Sequence, residues 1–178
     1  MADFTEMRIF RLVLDRATSA PIVLLKDEET GAVLPIWIGL FEAHAIATKL
    51  ENVSSPRPMT HDLMQSILRE LGAALERIKI VELRDGTYYA SLEVKLGEKR
   101  VLIDARPSDA MALALRTESP VFVNNNVLEV AAIHPTEDWE PIRGARGDSD
   151  EEMIEESEDE RWNRILSNLK TDGSEPIN

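Results

Sequence analysis

The chain has no cysteine in its 178 residues. Disulfides, thiolate nucleophiles and cysteine-ligated zinc are excluded at once. It also lacks any long apolar run, since stretches such as Ile22 to Leu25 are far too short to span a bilayer. The opening segment, MADFTEMRIFRLVLDRA, is charged throughout and has no uninterrupted apolar stretch of the signal-peptide kind. A cytoplasmic protein with no membrane partner is expected. The three histidines, His44, His61 and His134, are too scattered to announce a zinc site. Basic residues are in the minority, 20 against 33 acids, for a net charge of -13. That balance excludes coating of DNA or anionic lipid by the whole surface, though not by a local groove. A Gly-rich phosphate loop, His-Glu-x-x-His and Gly-x-Ser-x-Gly are all missing.

What is present supports a folded core, with 43% hydrophobic and 30% charged residues. The acidity is unevenly placed. Residues 1–136 carry a net charge of -4 and residues 137–178 a net charge of -9. Within the latter, Asp148 to Glu160 holds nine acids in thirteen residues, a block that repels itself. This divides the chain into a domain over 1–135 and an acidic tail over 136–178. In the tail, Trp162, Ile165, Leu166 and Leu169 fall on one helical stripe. That short helix would dock on its own domain or on a protein partner.

In the domain, Arg8 to Arg16, Pro21 to Lys26 and Val33 to Ile38 read as strands, with Pro35 marking an edge or bulge. Trp37, beside Ile36 and Ile38, reads as a packing residue. Phe41 to Leu50 reads as a helix, and a second helix runs from Thr60, as N-cap, to Leu71. Its expected core face is Leu63, Met64, Ile67, Leu68 and Leu71. Asp85-Gly86 between Arg77–Arg84 and Thr87–Leu96 is the strongest hairpin signal in the chain. Arg100 to Asp104 continues the meander, Pro107 opens another helix, and Val121 to Val123 is a last strand. Hairpins interrupted by helices imply an α+β fold: a mixed, mostly antiparallel sheet with helices packed against it.

Two segments stand out chemically. Arg57-Pro58-Met59-Thr60-His61-Asp62 and Asp104-Ala105-Arg106-Pro107-Ser108-Asp109 each place an Arg-Pro pair and an acid at the mouth of a helix. Helix N-termini attract anions, and one or two carboxylates hold magnesium. The same residues also admit a purely structural account, in which Thr60 and the acids cap their helices, His61 is exposed in a first turn, and the arginines bridge to those acids. Glu42 and His44 lie on a helix whose other residues read as core.

Together with Pro21 to Asp27, Leu34-Pro35-Ile36-Trp37-Ile38-Gly39 and Glu42-Ala43, these segments resemble the bifunctional nuclease (BFN) domain family. The resemblance covers about residues 7 to 134. It implies an α+β domain of unusual topology and nuclease activity towards DNA and RNA. The acidic tail does not match the UVR-type helical motif that some members carry. On this reading the enzyme would be a hydrolase assisted by Mg2+ or Mn2+. Asp104 and Asp109, with or without Asp62 as a further ligand, would bind the metal, His61 would act as base or orient water, and Arg57 and Arg106 would hold the scissile phosphate. Two other readings stay open: a non-enzymatic regulatory module binding a small anion, nucleotide or protein, and a homo-oligomer built through strand edges.

Overall fold

The computed structural model describes residues 3–15 and 18–134. The expected acidic linker, its helix around Trp162 and any partner of that tail lie outside the described residues.

Seven strands form one sheet: β1 (Phe4–Leu14), β2 (Pro21–Lys26), β3 (Val33–Trp37), β4 (Ala73–Arg84), β5 (Thr87–Leu96), β6 (Lys99–Ala105) and β7 (Val121–Asn124). Their spatial order is β3-β2-β1-β7-β4-β5-β6. All neighbours are antiparallel except β4 and β7, which run parallel. The α+β expectation is therefore met, with a mixed and mostly antiparallel sheet. Among the described residues four helices accompany it: α1 (Leu40–Leu50), α2 (Thr60–Glu70), α3 (Pro107–Thr117) and α4 (Asn125–Ala131). The last was not foreseen. Its N-cap is Asn124, whose side chain accepts a hydrogen bond from the Asn126 N–H at 2.9 Å.

Strand β5 alternates. Ala90, Leu92 and Val94 are buried, while the residues between them stay partly exposed. They meet Ile78 and Ile80 of β4 and Met111 and Leu113 of α3 in the main core. Helix α3 suits its central place because Ala110 to Ala114 are all small or apolar and all buried. Strand β2 is buried on both faces. Val23 and Leu25 enter the main core, and Ile22 and Leu24 join Val13 and Val33 in a second cluster.

Three local expectations are corrected. Thr60 is the first helical residue of α2 and not its cap, since Met59 has extended backbone and its carbonyl accepts from the Leu63 N–H. Only Met64 and Leu68 of α2 pack on the core, whereas Leu63, Ile67 and Leu71 are exposed. These three recur at four-residue spacing, so they form a separate stripe that the sheet cannot reach. Trp37, read as a packing residue, is 54% exposed at the end of β3.

The β4–β5 turn has φ of 51° at Asp85 and 74° at Gly86, as a two-residue Asp-Gly hairpin requires. Gly86→Val is expected to destabilise the domain by about 1 kcal/mol or more, read from the urea midpoint. A neutral result would show that the strands and not the turn set this hairpin.

Candidate functional site

Helices α1, α2 and α3 each carry an acid in the first turn, namely Glu42, Asp62 and Asp109. Acids there face the positive end of the helix dipole. Packing of α1 and α2 against α3 brings the three first turns together. The result is a chain of polar contacts across three helices. Arg106, the residue before α3, donates from Nη1 to Glu42 Oε1 and from Nε to Asp109 Oδ2, both at 2.7 Å. The other oxygen of Asp109, Oδ1, lies 3.2 Å from His61 Nε2. Burial works to raise the Asp109 carboxyl, but the hydrogen bonds from Arg106 and His61 and their charges outweigh it and hold it below the ordinary carboxylate range. An ionised Asp109 can only accept, so His61 Nε2 is the donor in this contact.

His61 is buried, contrary to an exposed first-turn position. Asp62 is drawn elsewhere. Its Oδ2 accepts from the Met59 N–H at 2.8 Å, which caps α2, and its Oδ1 accepts from Arg116 Nε at 2.5 Å. Burial pushes Asp62 up, and Arg116 with the Met59 N–H brings it below the usual range. Arg57 is exposed in the loop before α2 and makes no ion pair among the described residues. Asp104 does not join Asp109. It sits opposite Ser91, whereas its neighbour Ala105 sits opposite the buried Ala90. Strand alternation thus turns Asp104 to the face away from the main core.

Two residues of this region were not picked out from the sequence as site residues. Glu42 lies on a helix dominated by core residues, and its carboxylate folds back so closely that a Cβ on Gly39 would stand 2.2 Å from Oε2. Glycine beside an acid three positions on was the available signal. Arg116 is 6% exposed. Its signal was an arginine closing a helix that is apolar on every side. A groove lined by Phe4, Met7, Arg8, Lys26, Leu115 and Ser119 lies elsewhere and includes none of the clustered residues.

Among the described residues, no group of three or more His, Asp or Glu side chains is placed to hold a metal ion. Glu42 and Asp109 are two carboxylates joined through one guanidinium, and two is the number that magnesium commonly takes from a protein. Their combined charge exceeds that of Arg106 by one.

The bifunctional nuclease domain model matches residues 23–136, which include the whole cluster. The chain belongs to the bifunctional nuclease domain family. An uncharacterized protein of Mycobacterium tuberculosis is 34% identical over 170 residues, covering 94% of this chain and 96% of that protein. Bifunctional nuclease 1 of Oryza sativa subsp. indica is 30% identical over 140 residues, covering 74% of this chain and 42% of the rice protein. Bifunctional nuclease 2 of Arabidopsis thaliana is 29% identical over 111 residues, covering 61% of this chain and 34% of that one. The matched segment thus spans less than half of each plant protein. No described helix is long and apolar enough to cross a membrane.

Asp62 and Asp109 make pH a probe of this domain. Both carboxyls are depressed by folding, so their stabilisation is complete above the unfolded value and lost as pH falls through the folded one. The urea midpoint is expected to drop on acidification below about pH 4, and Asp62→Asn to flatten that dependence. Asp62→Ala leaves the Arg116 guanidinium buried without its carboxylate and is expected to cost about 3 kcal/mol at pH 7.

Proposed function

We propose that this protein is a nuclease that hydrolyses phosphodiester bonds in DNA or RNA with the help of a divalent cation, Mg2+ or Mn2+. The observation that carries the reading is the convergence of Glu42, His61, Arg106 and Asp109 from three helices. Membership of the bifunctional nuclease domain family supports it. Glu42 and Asp109 would hold the cation, which would supply charge neutralisation at the phosphate. Arg106 is 65% exposed in its side chain and keeps further N–H groups for a phosphate oxygen. Arg57, exposed and without an ion pair among the described residues, adds a second cation for the nucleic-acid backbone. His61 is held by Asp109 with Nδ1 as the nitrogen that accepts a proton from water. Trp37 and Phe41, 54% and 77% exposed on either side of Gly39, offer ring faces on which unpaired bases stack.

A second reading, a regulatory module that binds an anion without cleaving, rests on one observation. Every charge in the cluster already has a partner within it. Asp109→Asn decides between the two. As a nuclease the variant loses cleavage of single-stranded substrate by orders of magnitude, the melting temperature moves little, and chelator reproduces the loss in the parent. Asp104→Asn, on the far face of the sheet, keeps the parental rate. If carefully purified parent does not cleave at all, the module reading holds.

Two further outcomes test the details. Gly39→Ala displaces the Glu42 carboxylate from its fold-back, so cleavage falls while stability changes little, measured by kcat beside a thermal melt. Trp37→Ala weakens binding of single strands by about tenfold, seen as a raised KM at unchanged kcat.

A further inference from the structure

Helices α2 and α3 open differently. In α2 the first-turn acid, Asp62, turns back and takes the Met59 N–H. In α3 the acid at the same position, Asp109, accepts instead from Arg106 and His61. No side chain caps α3, and its first intrahelical bond runs from the Ala110 N–H to the Arg106 carbonyl at 3.0 Å. Pro107 has no N–H. Among the described residues the mouth of α3 therefore presents two unpaired donors, the N–H groups of Ser108 and Asp109.

Ser108 gives an independent sign of a ligand. It is only 7% exposed, and its hydroxyl has no hydrogen-bond partner among the described residues. The one fully sealed side-chain polar atom without a hydrogen bond there is Arg77 Nε, so Ser108 Oγ keeps a path to solvent. A buried hydroxyl without a partner costs free energy, and in native structures such a group is completed by water, an ion or a ligand. Its direction follows from the helix. Ser108, Ala112 and Arg116 are four residues apart and share one stripe of α3. Arg116 on that stripe reaches Ala45 of α1 and Asp62 of α2. Ser108 lies about two turns nearer the helix start. It thus faces the upper end of the same seam, where Glu42, His61 and Asp109 gather.

We propose that the mouth of α3 seats the phosphate of the substrate. The Ser108 hydroxyl and the N–H groups of Ser108 and Asp109 donate to its non-bridging oxygens, beside Arg106. The assignment rests on the phosphodiester reading of this cluster and narrows its ligand. Glu42 and Asp109 exceed Arg106 by one negative charge, which favours a monoanion over a dianion. An internucleotide phosphodiester carries one negative charge, and a terminal phosphate about 1.5 to 2 at pH 7. The seat therefore takes internal linkages and needs no terminal phosphate.

The test is anisotropy of a fluorescent oligothymidylate with the full chain, in Mg2+ and in chelator. Ser108→Ala is expected to weaken binding about tenfold, the loss of one hydrogen bond to a charged group. Its melting temperature is expected to stay or rise, since the hydroxyl it removes had no partner. Oligothymidylates with and without a 5′-phosphate are expected to bind alike, and inorganic phosphate to compete only weakly. Equal binding by parent and Ser108→Ala overturns the seat and leaves the nuclease reading standing. A clear fall in the melting temperature of Ser108→Ala also overturns it, because the hydroxyl then serves the fold. A probe that binds only when it carries a terminal phosphate overturns the choice of internal linkages. A parent that binds no probe in either condition removes the phosphodiester reading itself, and the seat with it.

Discussion

Arg116 carries a charge in a side chain that is only 3% exposed. A buried cation is costly unless every direction it points in is answered. Here three bonds from it go to three different helices. Nε meets Asp62 of α2, and Nη1 meets the backbone carbonyls of Ala45 in α1, at 3.1 Å, and of Ala112 in α3, at 2.8 Å. The Arg116 carbonyl in turn accepts from Gln65 Nε2 at 2.6 Å. The three helices are tied by one planar group with fixed donor directions. Sliding any of them along its axis would strand a buried donor.

That constraint places the outer cluster. With α1, α2 and α3 locked below their first turns, the side chains above have few ways to meet. Glu42, His61 and Asp109 come within reach of one another through Arg106. The two arginines have opposite environments. Arg116 is spent on the fold, while Arg106 is bridged to acids on one side and exposed on the other. An exposed guanidinium held between two carboxylates is pre-aimed but weakly invested, since surface ion pairs exchange at little cost. Such a group can turn to a phosphate without disturbing the helices beneath it.

Much of the fold was legible from local chemistry. The Asp85-Gly86 turn, the alternation of Ala90, Leu92 and Val94, and Pro107 at the start of α3 each follow from near-neighbour sterics or side-chain period, and each stands where expected. Helix α2 was legible as a helix and illegible in its contacts. Apolar residues at Leu63 and Ile67 satisfy the same periodicity as Met64 and Leu68, and periodicity does not say which stripe a sheet will cover. Trp37 shows the reverse limit, because an aromatic residue in an apolar strand reads as core until the strand turns out to be an edge.

The sequence by itself determined where charged groups gather at helix mouths: the two Arg-Pro segments, their acids and His61 are legible in short-range pattern. Tertiary structure alone decided how they are divided. Asp104 and Asp109 are five positions apart, yet a strand sends one to the far face and a helix turn returns the other to His61, 48 residues away in the chain. Asp62, next to His61, was claimed by Arg116, a partner 54 residues distant. Local sequence sets dihedral preference and side-chain period, which act over a few residues. Which acid meets which base depends on helix packing and strand order, and those are settled by burial over the whole domain.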